Sequence, residues 1–150
     1  MTVLTQRKQT LATAESLTGG LLGAVITAVP GASSVYRGGI IAYATELKAT
    51  LLGVPAGLLA RHGPVYPGVA AAMAAGARDR LGATWGLATT GVAGPDRVDG
   101  HPPGTVHVAA SAGVPVTRSL ALAGGRDEVR QQTVAEVLRL LWNALREEGP

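Results

Sequence analysis

Two consecutive glycines between a strand-like run and a helix-like run place the tightest limit on how this chain can fold. Residues 10–23 read TLATAESLTGGLLG. Leu11, Ala12, Thr13 and Ala14 are short and suited to a buried strand, while Leu21, Leu22, Val25, Ile26 and Val29 recur at spacings that form one helical stripe. Between them lies Glu15-Ser16-Leu17-Thr18-Gly19-Gly20. The glycines let other groups come close to the backbone, and serine is a good helix N-cap. A strand that becomes a helix through such residues gathers free N–H groups, a hydroxyl and the positive end of a helix dipole at one point. That point can bind an anion or steady a developing oxyanion, which makes Thr18, Gly19 and Gly20 candidate binding residues. The plainer reading, favoured by this stretch alone, is that Ser16 only caps the helix.

The remaining pattern alternates in the same way. Residues 1–9 form at most a turn or two of helix. A first strand covers 10–15 and a first helix 17–28, stopped by Pro30-Gly31. Residues 33–39 read as a loop or short helix ending in a glycine pair, and 40–44 as an apolar strand. Short helices follow over 45–52, with Thr45 as its cap, and over 55–61. An alanine-rich helix covers 68–81, a strand 85–90, and a loop with four glycines and three prolines 91–104. Two strands, 105–111 and 116–123, join through Gly113-Val114-Pro115, and a last helix runs from 125 to about 146. This order implies an α/β fold, a three-layer α/β/α sandwich with a mixed, mostly parallel sheet, formed as a single domain over 1–150. Functional loops in such sheets lie beyond the carboxyl ends of the strands. Residues 15–20, 43–48 and 89–95 fall there.

Composition narrows the chemistry. The chain has 150 residues, 47% hydrophobic and 15% charged, which suits a folded core rather than disorder. It has no cysteine, so disulfides, thiol nucleophiles and thiolate metal sites are excluded. His62, His101 and His107 are scattered without a metal-ligand spacing, so no metal is expected. There is no apolar leader core and no run of membrane-spanning length, so a cytoplasmic location and no membrane partner are expected. The net charge is +3, but the basic residues are dispersed, so a nucleic-acid surface finds little support.

Four groups of residues can carry chemistry. Ser16 sits at the strand-to-helix junction without the G-x-S-x-G pattern of a nucleophile elbow, and no phosphate-loop or dinucleotide fingerprint is present. Tyr43 and Lys48 follow the second strand. A lysine held neutral by burial or nearby positive charge can activate a serine hydroxyl, with a tyrosine relaying the proton, although most such lysines are simply surface residues. Thr90-Gly91-Val92-Ala93-Gly94-Pro95 can form an anion-binding nest or an ordinary turn. Arg126 and Arg130, four apart at the start of the last helix, share a face. They can clamp a phosphate or pair locally with Asp127 and Glu128.

Taken in order, Ala14-Glu15-Ser16-Leu17-Thr18-Gly19-Gly20, Gly38-Gly39 through Tyr43 to Lys48, Thr90 to Asp96, Gly104-Thr105-Val106 and Gly125-Arg126-Asp127-x-Val129-Arg130 resemble the C-terminal domain of the competence/damage-inducible protein CinA, the nicotinamide-nucleotide amidohydrolase family. The resemblance runs from about Thr10 to the last helix. It implies hydrolysis of nicotinamide mononucleotide to nicotinate mononucleotide and ammonia, a three-layer fold, homo-oligomers, and no metal or organic cofactor. It implies Ser16 as nucleophile, Tyr43 and Lys48 as its activating partners, Thr90 and its glycine turn (Gly91, Gly94) lining the amide site, and Arg126 or Arg130 holding the 5′-phosphate. The sequence departs from the family pattern at Leu17, where cysteine is usual, and at His62-Gly63-Pro64-Val65-Tyr66, where Tyr66 followed by Pro67 replaces a small hydroxyl residue. The short segment before the first strand suggests a bare apolar sheet face that favours self-association. If Tyr66-Pro67 intrudes on the site, the alternative is a catalytically impaired nucleotide-binding or interaction module of the same fold. A weak DNA-binding protein is a third, less supported reading.

Overall fold

The computed structural model describes residues 1–147. Its elements are α1 (Thr2–Gln6), β1 (Leu11–Glu15), α2 (Leu21–Thr27), a 3₁₀ turn (Ala32–Ser34), β2 (Tyr36–Ile41), α3 (Thr45–Leu52), α4 (Ala56–His62), α5 (Pro67–Leu81), β3 (Trp85–Gly91), β4 (Thr105–Ser111), β5 (Pro115–Ala121) and α6 (Arg126–Glu147). The five strands form one sheet in the order β2-β1-β3-β4-β5. Pairs β1–β2 and β1–β3 are parallel, whereas β3–β4 and β4–β5 are antiparallel. The sheet is thus evenly mixed rather than mostly parallel. The hairpin through Gly113 accounts for one antiparallel pair, and the long 91–104 loop reverses the chain for the other.

Helices cover both faces, as the three-layer expectation requires. The period of two along β1 sends Leu11 to one side, where it packs with Leu87, Val106 and Val108 of the sheet, Leu22 and Ile26 of α2, and Val129, Val137 and Leu141 of α6. Ala12 and Ala14 go to the other side, against Val69, Ala70, Met73, Ala74 and Ala77 of α5 and Leu52 of α3. The sheet face expected to be bare is therefore buried over β1, β3 and β4. Alanines on both sides of the second layer bring α5 close to the strands. Gly86 completes that approach, since a Cβ there would collide with the Ala74 carbonyl, and Gly76 does the same between α5 and α3, where a Cβ would collide with the Leu52 carbonyl.

Three of the differences between the observed boundaries and the sequence pattern bear on the site. The first helix starts at Leu21, not Leu17, because Gly19 and Gly20 take positive φ angles of 55° and 104° and unwind its first turn. Ser16 consequently is not the N-cap; Gly20 occupies that position. Gly38 and Gly39 lie inside β2, not in the loop before it, because the Tyr36 hydroxyl reaches across to Thr13 Oγ1 at 2.7 Å and leaves no room for a side chain at Gly39. Thr45 is the first helical residue of α3, and Ala44 is its cap.

Gly86→Ala is expected to destabilise the fold by about 1–3 kcal/mol through overpacking at the α5 contact. Gly57→Ala, where nothing lies within 4 Å of the added Cβ, is expected to leave stability unchanged or raise it, as alanine favours helix. Thermal denaturation of both variants checks this; equal melting temperatures would contradict the close sheet–helix packing.

Candidate active site

The three parallel strands end in register. Glu15 of β1 pairs with Ile41 of β2 and with Thr89 of β3. The ladder extends one step further, through Ser16 N–H donating to the Thr89 carbonyl at 3.0 Å and Ala42 N–H donating to the Glu15 carbonyl at 2.9 Å. Ser16, Ala42-Tyr43 and Thr90 thus emerge side by side at the carboxyl edge of the sheet. A cleft of about 360 Å³ opens there, lined among others by Ser16, Tyr43, Lys48, Thr90, Gly91, Gly94 and Arg126.

Lys48 is the largest fully buried side chain, 1% exposed, on the inner face of α3. Its Nζ lies 2.9 Å from Ser16 Oγ, 2.7 Å from the Ala42 carbonyl and 3.3 Å from the Tyr43 carbonyl. Burial lowers its pKa from the ordinary 10.5 to about 8, with the Glu46 carboxylate opposing part of that shift. As an ammonium it donates to all three oxygens. After losing one proton, two N–H groups can stay on the two carbonyls, and the lone pair is left facing Ser16 Oγ, whose O–H can then donate to it. Such a pair activates a serine hydroxyl near neutral pH without histidine.

The other sequence candidates are placed differently. The Tyr43 phenol is 60% exposed and accepts from Arg126 Nη2 at 3.3 Å; toward Lys48, Tyr43 offers its main-chain carbonyl. Arg126 Nη1 donates to the Gly94 carbonyl at 2.6 Å, which fixes its guanidinium at the cleft edge. Arg130 turns instead to the Ser16 turn, where Nε donates to the Leu17 carbonyl and Nη2 to the Thr18 carbonyl, both at 3.0 Å. The two arginines share a helix face but do not form one clamp, and Arg126 is the one that lines the cleft. Thr18 is fully buried, its hydroxyl 2.8 Å from that of Thr89, and with Gly19 and Gly20 it stands behind the cleft rather than in its lining. Thr90 Oγ1 donates to the Pro64 carbonyl at 2.7 Å, joining the 63–67 segment to the sheet edge.

Pro64 and Val65 of that segment line the cleft. Tyr66 does not; its ring stacks on His62 with centroids 3.9 Å apart, and it caps α5 with Pro67 as the first helical residue. Proline is favoured there because its missing N–H would have no helical partner anyway. Two contributors escaped sequence reasoning. Asp96 lines the cleft, and the Glu15 carboxylate, 2% exposed, accepts from the N–H groups of Gly20, Leu22 and Gly23 at 3.2, 2.9 and 3.1 Å. The signal for Glu15 was an acidic residue just ahead of a helix that lacks a side-chain cap.

A mixed sheet between two helical layers, with a buried lysine on a serine at its carboxyl edge, defines the class of protein. The chain belongs to the CinA C-terminal domain family, whose model matches residues 1–145. It is 56% identical over 140 residues to a CinA-like protein of Frankia casuarinae, covering 93% of this chain and 32% of that protein. It is 49% identical over 142 residues to one of Parasynechococcus marenigrum, covering 92% and 34%. The chain spans about a third of the length of the curated relatives it matches. Among solved structures, the competence damage-inducible protein A of Klebsiella pneumoniae superposes with a TM-score of 0.93 at 33% identity, covering 97% of this chain and 91% of that one. The competence/damage-inducible protein of Agrobacterium tumefaciens gives 0.91 at 36%, covering 97% and 90%. Among the described residues no helix is long and apolar enough to cross a membrane.

The lowered pKa of Lys48 links stability to pH. Between about 8 and 10.5 the unfolded chain holds a proton on this group that the folded chain has lost, so stability rises with pH across that window. Below it, the folded state bears the full cost of a buried ammonium. Relative to Lys48→Met, the native chain is expected to gain stability from pH 8 to 10.5. Denaturant titrations at several pH values check this, and parallel curves for the two proteins would contradict it.

Proposed function

We propose that this domain hydrolyses the carboxamide of nicotinamide mononucleotide, giving nicotinate mononucleotide and ammonia. The observation that carries this reading is the 2.9 Å contact between buried Lys48 Nζ and Ser16 Oγ at a cleft edged by Arg126. Neutral Lys48 takes the Ser16 proton as Oγ attacks the amide carbon. Among the described residues the amide N–H of Leu17, which lines the cleft next to the nucleophile, has no acceptor and is suited to receive the oxyanion. The resulting ammonium of Lys48 returns its proton to the departing nitrogen, so ammonia leaves and an acyl-serine remains. Water, deprotonated by the same amine, then attacks the acyl carbon, and the ammonium returns that proton to Ser16 Oγ as the acid is released. Arg126, held by the Gly94 carbonyl and the Tyr43 hydroxyl, keeps further N–H donors for the 5′-phosphate, the group such a planar fork recognises well. The cleft volume suits a small nucleotide.

Ammonia release from nicotinamide mononucleotide is the direct test. Ser16→Ala is expected to abolish it in a folded protein, and Lys48→Met to reduce kcat by about 10²–10⁴-fold, the scale of general acid–base catalysis. Arg126→Ala is expected to raise KM more than it lowers kcat. In the native protein the rate is expected to climb with pH through about 8 as Lys48 becomes neutral. A folded native chain that is thermally stabilised by the mononucleotide but releases nothing would overturn the hydrolase and leave a binding module.

A further inference from the structure

The turn that carries Ser16 is gripped from two sides by groups of opposite charge. Glu15 and Ser16 are neighbours, and strand alternation sends them to opposite sheet faces: Ser16 to Lys48 of α3, Glu15 to the start of α2. A helix start leaves several N–H groups without partners, and an N-cap side chain commonly satisfies one of them. The N-cap here is Gly20, which has no side chain, and the Glu15 carboxylate takes three N–H groups in its place. Had Ser16 served as that cap, its hydroxyl would be engaged by a backbone N–H. With Glu15 capping, the hydroxyl is available to Lys48.

Arg130 acts on the other polar side of the same turn. It is anchored on α6, and its two bonds to the Leu17 and Thr18 carbonyls are directed by a planar fork. A trans peptide is rigid, so a carbonyl held in one direction holds the N–H of the same peptide in the opposite one. Holding the Leu17 carbonyl therefore fixes the Thr18 N–H, and the Asp127 carboxylate, 3.7 Å from Arg130 Nη1, helps to keep the guanidinium in place. The buried Thr18–Thr89 hydroxyl pair ties the turn to β3. Gly19 is favoured in this turn by its φ of 55°, since a Cβ there would meet Arg130 Nη2 only at an ordinary contact distance of 3.8 Å.

We propose that Glu15 and Arg130 are positioning residues that jointly fix the Ser16 turn, one through its N–H groups and the other through its carbonyls, so that Ser16 Oγ stays on Lys48 Nζ. Its catalytic consequence rests on the reading of Ser16 as nucleophile; its structural content does not. Arg130 on this reading is not a substrate ligand, and Arg126 alone meets the anionic end of the substrate.

The test uses Glu15→Gln, Arg130→Met and Arg130→Lys, with the exposed Arg139→Gln as control. Glutamine keeps the length of Glu15 but replaces one accepting oxygen by an NH₂ that opposes the backbone donors. Lysine at 130 can hold one carbonyl of the two. The chain contains only two lysines, Lys8 and Lys48. Side-chain ¹³C labelling of lysine therefore gives few NMR signals, two in the native chain and three in Arg130→Lys, among which that of Lys48 can be followed. Glu15→Gln and Arg130→Met are expected to move the Lys48 midpoint upward, and to lower kcat by up to about 10²-fold, the scale of a 1 Å misplacement, with KM little changed. Arg130→Lys is expected to recover part of both effects, and the control to show neither. A purely structural role would lower the melting temperature while leaving the Lys48 titration and kcat as in the native chain, and that result in folded Glu15→Gln and Arg130→Lys would overturn the proposal. A rise in KM with unchanged kcat in the Arg130 variants would overturn it in favour of substrate binding. If the native chain releases no ammonia, the hydrolase reading falls, and the Lys48 titration still decides the positioning role.

Discussion

The contact on which the site depends is that of a lysine amine buried to 1% exposure with one hydroxyl and two carbonyls as its neighbours. Burying an ammonium is costly, and partners of this kind offset the cost only when their geometry is fixed. The geometry comes from backbone. Ala42 and Tyr43 follow β2 directly, and α3 begins two residues later, so the strand end and the helix carrying Lys48 cannot drift apart. Remaining desolvation is what brings the amine toward neutrality near physiological pH. Stability lost in burying the group is the counterpart of its lowered pKa.

Strand alternation divides the labour around Ser16. Even-numbered residues of β1 face the alanine-rich layer and α3, and odd-numbered ones face α2 and α6. Glu15 can therefore cap one helix while Ser16 meets a lysine from another. The antiparallel half of the sheet supports this arrangement: β4 returns along β3 and holds its carboxyl end, and the loop between them carries Gly94, whose carbonyl seats Arg126. The last helix then reaches the site from two consecutive turns, Arg126 to the cleft edge and Arg130 to the turn behind it.

Small residues do comparable work on the opposite layer. Alanines on β1, β3 and β4 face alanines of α5, and Gly86 removes the last obstacle to contact. The close approach holds α5 beneath the strand ends, and its N-terminal lead-in, Gly63 to Tyr66, reaches the cleft through Pro64 and Val65. Tyr66, bulky where the family pattern has a small hydroxyl, stacks on His62 outside the lining. Its ring is half-buried against the alanine-rich core layer and outside the cleft lining, so the departure alters the wall less than its sequence suggests.

The element order, the helical layers on both faces and the gathering of residues 15–20, 43–48 and 89–95 at one sheet edge were legible in the sequence, because side-chain periodicity and Gly/Pro punctuation are local properties. Ser16 and Lys48 were legible as candidates for the same reason: they lie beside strand ends. The start of α2 was misread because positive φ at Gly19 and Gly20 overrides the helical spacing around them. Three things were decided only by tertiary structure. The lysine's surroundings depend on a serine 32 residues away in sequence. The roles of Arg126 and Arg130 depend on which loop each guanidinium reaches, although the two are equivalent by spacing. The capping role of Glu15 depends on a helix whose own cap position is glycine. Lys48 and the two arginines meet groups 32 to 113 residues away, whose place no local pattern encodes; Glu15 reaches only 5 to 8 residues ahead, but to N–H groups that the glycine turn brings to it.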